Sequence, residues 1–385
     1  MSDFEQKMSM VFNPIYQGST VLYDNFDEFL KYSKQDIKQI EDVKEFSGYG
    51  RLHNPTVFEL ERILAKMEYG DFCKITTCGL SAITKAILTY AKNGDHVLMT
   101  DGAYIRTRAF AENILPKFGI NYDYYDTIDI NDLKSKIKSN TKIIFLELPS
   151  SGSGEFQDIA EIVSIAKEKN IITICDNTMM TPILFNPIKH GIDVVVHSLT
   201  KFVLGYSDCM LGCVITTKKH FKDLYDYTNL MGNHVNSENA YMAIRGLKTL
   251  ELRVKDSVKR GKPIIDYLKS HELIKEILHL SCFEDERKTI AEKYIDCKKV
   301  ASLMTIVLKK KYTNEELTKF FDNLKIFRLG FSWGGFESLC IPYDLSFRQN
   351  KIRNYKKNTC IRLYIGMEKT EALIEDLQQA MLKFK

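Results

Sequence analysis

Four short apolar runs, HVLMT (96–100), KIIFLEL (142–148), IITICD (171–176) and DVVVHS (193–198), alternate with segments whose apolar residues recur at helical spacing. The amphipathic segments TVFELERILAKME (56–68) and LSAITKAILTYAK (80–92) flank the start of this pattern, and DIAEIVSIAKEK (158–169) lies within it. In that last segment Asp158 stands at an N-cap position with Glu161 in place to complete a capping box. Strand, helix and strand in succession require right-handed crossovers, which predict an α/β fold with a mostly parallel central sheet and helices on both faces. Ligands of such sheets bind at the carboxyl ends of the strands, so the residues that end each run are the candidates for chemistry.

After about residue 240 the rhythm changes. A long helical stretch (240–271) is followed by SLMTIVLKKK (302–311), IFRLGFSW (326–333) and CIRLYIG (360–366), which read as strands, and by EALIEDLQQAMLKF (371–384), which reads as a closing helix. The expected division is an N-terminal arm (1–50), a large ligand-binding domain (51–240) and a smaller C-terminal α+β domain (241–385). A length of 385 residues suits roughly two domains. The 54 basic and 50 acidic residues leave a net charge of +4, which implies neither a nucleic-acid partner nor a polybasic membrane anchor. No apolar run approaches the ~18 residues of a membrane span. The nine cysteines form no CxxC pair and call for no metal. Those in apolar runs, such as Cys175, behave as small hydrophobes and suit a reducing compartment, so a soluble cytoplasmic protein is expected.

Three uses of the sheet compete. A dinucleotide site needs GxGxxG, and the nearest candidate, Gly152-Ser153-Gly154-Glu155-Phe156-Gln157, has glutamine in the third glycine's place, with a helix beginning only at Asp158. A P-loop needs GKS or GKT, which the sequence lacks. The third use joins Asp176, which ends one apolar run, to Lys201, which follows the next. Parallel neighbours lie about 4.8 Å apart, so their ends can set a carboxylate and an amine on opposite sides of one small aromatic ring. Pyridoxal phosphate asks for a lysine at its aldehyde, an acid at its ring nitrogen, and hydroxyl and backbone N–H groups at its phosphate. Ser198 and Thr200 supply hydroxyls beside Lys201. Cys78-Gly79-Leu80, opening a helical segment, supplies N–H groups and a glycine that lets the backbone approach.

CDNTMMTP (175–182) and HSLTKFVLGYSD (197–208) resemble hallmark segments of the Cys/Met-metabolism family of pyridoxal-phosphate enzymes. YGRLHNPTVFELE (49–61), GDHVLMTDGAY (94–104), RGLKTLELR (245–253), SWGGFESL (332–339) and IRLYIGME (361–368) extend the resemblance, which covers the chain from about Asn13 to Leu377. It implies the aminotransferase-like type I fold and a homotetramer of two dimers, with each active site shared across a dimer. It makes Lys201 the Schiff-base lysine and Asp176 the pyridinium partner, with Tyr104 stacked on the ring. Gly79, Leu80, Ser198 and Thr200 would hold the phosphate from one subunit, while Tyr49 and Arg51 reach it from the neighbour. Arg362 would clamp the substrate's α-carboxylate, which its planar fork matches in a way lysine cannot imitate. Ser332 and Trp333, the latter the only tryptophan, would line the substrate pocket with Phe331 before them.

The reaction this implies is β-elimination from a sulfur amino acid, with L-cystathionine giving homocysteine, pyruvate and ammonia. Relatives acting at Cγ typically carry an acidic residue in the pocket segment and leucine in a Ser-Leu-Gly-Gly sequence. Phe331-Ser332-Trp333-Gly334-Gly335 has neither, which favours β-chemistry over the γ-lyase, γ-synthase and methionine γ-lyase activities of the family. A carbanion at Cα also admits slow racemisation of alanine, with Tyr104 or Tyr49 as the second acid. Two segments depart from the family pattern: Tyr206 stands where histidine is usual, and Leu148-Pro149-Ser150-Ser151 replaces Ser-Pro-Thr-Asn, which leaves the contact to the cofactor's phenolic oxygen open. A non-catalytic binding module on this fold is the alternative from another class. Retention of Lys201, Asp176, Arg362 and Tyr104 together argues against it.

Overall fold

The computed structural model describes residues 11–33, 48–52, 54–348 and 355–384, so much of the expected arm lies outside the described residues. Seven strands form the large sheet: β1 (Phe72–Thr76), β2 (His96–Thr100), β3 (Asn121–Tyr125), β4 (Thr141–Glu147), β5 (Ile172–Asp176), β6 (Val194–Ser198) and β7 (Gly212–Thr216). Their order is β1-β7-β6-β5-β4-β2-β3. β3, β2, β4, β5 and β6 pair in parallel, while β7 runs antiparallel to both β6 and β1. A second, antiparallel sheet of β8 (Ile274–Leu278), β9 (Leu303–Leu308), β10 (Leu339–Pro342) and β11 (Cys360–Tyr364) has the order β10-β11-β9-β8.

Strand alternation divides the large sheet's side chains between two cores. Phe145, Ile174 and Val196 join a cluster with Ala82, Ile83, Ala86 and Ile87 of the helix Gly79–Tyr90. Leu146, Cys175 and Val195 face the other way, toward the helices Pro55–Met67 and Ile159–Glu168. The first of these two starts on Asn54, whose side chain accepts from the N–H groups of Thr56 and Val57. The second starts on Asp158, which accepts from Glu161 N at 3.4 Å and also takes the Lys293 ammonium and the Tyr294 hydroxyl. Half of the expected capping box is thus in place, and Asp158 ties its helix to the C-terminal region.

Two sequence expectations need correction. The stretch 240–271 forms two helices, Ser237–Leu247 and Leu250–Lys269, separated at Lys248-Thr249. Arg253 braces the break by donating to the Gly246 carbonyl at 2.7 Å, which also accepts from Thr249 N at 3.2 Å, and to Thr249 Oγ1 at 3.0 Å. Residues 240 and 241, where the sequence suggests a change of domain, lie within the first of these helices. IFRLGFSW is not a regular strand: Arg328 makes one isolated bridge to Leu339, after which the chain turns through Gly334 at φ +86°. The Gly152–Gln157 segment is a packed loop, with Gln157 buried beneath the Tyr125 hydroxyl at 2.6 Å.

One buried arginine joins the two sheets. Arg348, from the connection between β10 and β11, bonds to Asp101 Oδ1 at 2.7 Å and to Thr127 Oγ1 at 3.0 Å, and also contacts Ser153 and Glu155. Asp101, Thr127 and Glu155 lie in the loops after β2, β3 and β4, so a single guanidinium gathers three strand-end loops.

Candidate functional site

β5 ends on Asp176 and its neighbour β6 on Ser198. The Asp176 carboxylate is buried and accepts from Thr178 Oγ1 at 2.5 Å and from Thr178 N at 2.9 Å. Burial pushes this carboxyl up, and the Thr178 bonds with the charges of His197 and Lys201 recover only part of the shift. His197 Nε2 lies 2.6 Å from Glu68 Oε1, and both groups are buried. Burial opposes protonation of His197, but the bond and charge of Glu68 outweigh it and raise the imidazole. A buried, hydrogen-bonded His197–Glu68 pair thus accompanies Asp176. Glu147, at the end of β4, is paired with Asp176 in the ladder and accepts from Tyr104 N at 2.7 Å. Burial, then the charge of Asp176, pushes Glu147 well up. Sequence reading missed Glu147, although an acid ending an apolar run was the same signal that marked Asp176.

Lys201 follows β6 in a turn, with its N–H donating to Ser198 O at 3.2 Å. Its Nζ donates to Ser332 Oγ at 2.9 Å and lies 5.4 Å from the Trp333 ring centroid. Burial, then the charge of Arg362, lowers its pKa to about 8, against the opposing pull of Asp176 and Glu337. Three residues outside the turn grip its backbone. A Cβ on Gly334 would lie 2.8 Å from Phe202 N and 2.9 Å from the Lys201 carbonyl carbon. A Cβ on Gly246 would lie 2.2 Å from Val203 O, and Arg253 donates to the carbonyls of Phe202 and Val203. RGLKTLELR and the Gly-Gly of SWGGFESL therefore hold the lysine in place, which sequence reading did not assign to them.

The lysine's neighbours fit an anion. A Cβ on Gly79 would lie 2.4 Å from Ser198 Cβ, so the start of helix Gly79–Tyr90 sits directly on that serine. The helix has no acidic residue in its first turn, and while the Ser81 N–H is capped by Cys78 Sγ at 3.4 Å, those of Gly79 and Leu80 are left for an anion. Thr200 Oγ1 is already 3.1 Å from both the N and O of Leu211, so its hydroxyl braces the loop and has limited capacity left. Acid, amine and anion seat converge on two adjacent strand ends and one helix start, and this donor set fits pyridoxal phosphate.

Arg362 projects from β11, donates to Ser332 O at 3.0 Å and has no carboxylate partner among the described residues. Trp333 packs against Phe202 with ring centroids 5.6 Å apart. Tyr104 is partly exposed at the start of helix Ile105–Asn113. Tyr343 reaches toward Ser151 Oγ at 3.4 Å and lies 5.4 Å from the Arg362 guanidinium, a neighbour the sequence did not mark. The structure thus gathers Lys201, Asp176, Tyr104, Gly79, Ser198, Thr200, Ser332, Trp333 and Arg362, with Leu80 next to Gly79. Phe331 is 94% exposed and buries almost nothing within the chain. Tyr49 is half-exposed and bridges Thr20, while Arg51 donates to Asn229 O at 3.1 Å. Neither is brought to Lys201 within one chain.

The lowered lysine has a measurable consequence. A neutral amine is required to attack an aldehyde. Loading of cofactor-free protein, followed by absorbance, should accelerate with pH to a midpoint near 8, the value of buried Lys201. A midpoint near the ~10.4 of an ordinary lysine would contradict the geometry.

The family described as Cys/Met metabolism PLP-dependent enzyme matches residues 2–382. The chain is 37% identical over 375 residues to a protein of Wolbachia pipientis named L-alanine/L-glutamate racemase, covering 96% of this chain and 92% of the relative. It is 32% identical over 372 residues to a cystathionine beta-lyase of Haemophilus influenzae, covering 95% and 92%. A solved structure from Campylobacter jejuni, named as an O-acetylhomoserine (thiol)-lyase and carrying a pyridoxyl-lysine phosphate, superposes with a TM-score of 0.86 at 28% identity, over 97% of this chain and 96% of that one.

Proposed function

The chain belongs to the Cys/Met metabolism PLP-dependent enzymes, and from that membership we propose that it is a carbon–sulfur β-lyase converting L-cystathionine to homocysteine, pyruvate and ammonia. Pyridoxal phosphate, when bound, supplies the electron sink for charge left at Cα. Asp176 would hold its ring nitrogen in the protonated form, and Tyr104 would be the aromatic partner of the ring. Gly79, Leu80, Ser198 and Thr200 seat the phosphate. Arg362, without an acidic partner among the described residues, takes the substrate's α-carboxylate and fixes the Cα–H bond toward Lys201. The Lys201 amine removes that proton. The Cβ–S bond then breaks with its electron pair on sulfur, and Lys201 returns a proton to the departing thiolate. The released enamine hydrolyses to pyruvate and ammonia.

The observation that carries this reading is one poised amine beside the uncharged pair Ser332 and Trp333. Phe331, which precedes that pair along the chain, offers no charge for a distal ammonium and no proton for Cγ. Purified enzyme given L-cystathionine should release pyruvate, and 2-oxobutyrate in its place would overturn the β-assignment in favour of γ-chemistry.

We further propose a homotetramer of two dimers in which Tyr49 and Arg51, placed away from their own Lys201, serve the neighbouring phosphate seat. All nine cysteines are free thiols, which supports a cytoplasmic setting. No described helix is long and apolar enough to cross a membrane. The Wolbachia relative's name favours a second, slower activity: Tyr104 or Tyr49 delivers a proton to the opposite face of Cα and racemises alanine, which has no β-leaving group. D-alanine should accumulate from L-alanine over long incubation, and its absence would remove this activity from the account.

A further inference from the structure

Tyr343 directly follows β10, where its N–H donates to Cys360 O at 2.9 Å. Ile341 pairs with Arg362 in the β10–β11 ladder, so Tyr343, two residues on, lies diagonally from Arg362 on the same face of the sheet. The Arg362 guanidinium lies over the Tyr343 ring at 5.4 Å from its centroid, within the range where a ring face attracts a cation. The ring is also pinned by the loop after β4. A Cβ on Gly152 would lie 2.0 Å from Tyr343 Cε1, and the Tyr343 hydroxyl reaches Ser151 Oγ at 3.4 Å.

Arg362 itself is held by little else. Among the described residues no carboxylate partners it, and its one hydrogen bond there runs from Nη2 to Ser332 O at 3.0 Å. A guanidinium has five N–H donors, so most of its fork stays open to an anion. One bond to a backbone carbonyl leaves a long side chain free to swing, and a fixed aromatic face removes that freedom. Ser332 Oγ in turn accepts from Lys201 Nζ at 2.9 Å, so Tyr343, Arg362, Ser332 and Lys201 form one continuous set of contacts.

We propose that Tyr343 is a positioning residue for substrate binding: its ring, fixed by the Gly152 loop, holds the Arg362 guanidinium in the orientation that receives an α-carboxylate. In this role Tyr343 acts through Arg362 and needs no contact with substrate. The inference rests on the assignment of the α-carboxylate to Arg362, and it is independent of whether the lyase acts at Cβ or Cγ. Glycine and methylamine isolate the effect. Both carry an amine, only glycine carries the carboxylate, and neither has a side chain to eliminate.

When each is titrated into cofactor-loaded enzyme and followed by the cofactor's absorbance, Tyr343→Leu should weaken glycine roughly 3- to 30-fold and leave methylamine within about twofold. Tyr343→Phe keeps the ring and should bind glycine within about threefold of the parent. Arg362→Ala should weaken glycine, and adding Tyr343→Leu to that variant should cost nothing more, because the two residues act as one unit. The inference is overturned by equal weakening of both ligands, by no weakening, by a Phe variant as poor as the Leu variant, or by a further loss in the double variant. If Arg362→Ala leaves glycine binding unchanged, the carboxylate assignment fails and takes this inference with it. If Arg362→Ala weakens glycine and Tyr343→Leu does not, that assignment stands and only the role of Tyr343 falls.

Discussion

Lys201→Ala should lower pyruvate release from L-cystathionine by about 10⁴-fold or more, because one side chain carries two duties. Positioned general acid–base work alone is worth about 10²- to 10⁴-fold, and loss of the covalent attachment point adds to it. The fold should survive. The turn that presents Lys201 is held through its backbone by Gly334, Gly246 and Arg253, none of which depends on the lysine side chain. Removing an amine whose burial already depresses its pKa to about 8 also relieves a desolvation cost. The melting temperature of the cofactor-free variant should therefore stay close to that of the parent. Activity within about tenfold of the parent would mean that another group moves the proton.

Arg348→Met should be the most destabilising single change outside the hydrophobic cores. The Arg348 side chain is 2% exposed, and its partners Asp101 and Glu155 are 0% and 1% exposed. Burial pushes the Asp101 carboxyl up, but the charge and hydrogen bonds of Arg348, with those of Thr127, hold it below the usual range. Without the guanidinium two carboxylates face each other in a dry interior, at a cost of about 3–5 kcal/mol. The sign of the pH dependence follows. In the parent, Asp101 has a depressed pKa, so its contribution is present above the unfolded value of ~3.9 and is lost as pH falls through the folded one. In the variant the burial that pushes Asp101 up is no longer opposed by Arg348, so that carboxyl takes up a proton more readily and the destabilisation should shrink as pH falls from 7 toward 5. Chemical denaturation of parent and variant at equal protein and cofactor concentration measures both effects. A loss below about 1 kcal/mol at pH 7 would show that the cluster is hydrated or repaired by neighbouring groups.

Much of the site was legible because its chemistry sits where apolar runs stop. Val194-Val195-Val196 is wholly buried, so the polar residues that follow it stand out, and the same contrast marks Asp176 after Ile174-Cys175. Strands without such contrast escaped notice. β1 carries Lys74 in mid-strand, buried 3.4 Å from Glu61, and a charge there reads as an interruption until its partner is known. β3 is the polar edge strand NYDYY, and β7 opens on Gly212, where a Cβ would lie 2.4 Å from Cys78 O. The helix break at Lys248-Thr249 depends on Arg253 reaching back to Gly246 O, a contact that no local propensity encodes. Arg348 and Tyr343 belong to the site's frame only through tertiary contacts, so neither had a signal along the chain. Tyr49, Arg51 and Phe331 had family-pattern signals, but a single chain leaves each of them exposed or engaged elsewhere.

We propose that Lys201 is the residue to which pyridoxal phosphate attaches. Holoenzyme reduced with borohydride and digested should yield one peptide carrying the pyridoxyl phosphate mass, with the fragment ions placing it on Lys201 within HSLTKFVLGYSD (197–208). The label on any other lysine, or on none, would contradict the account at its foundation.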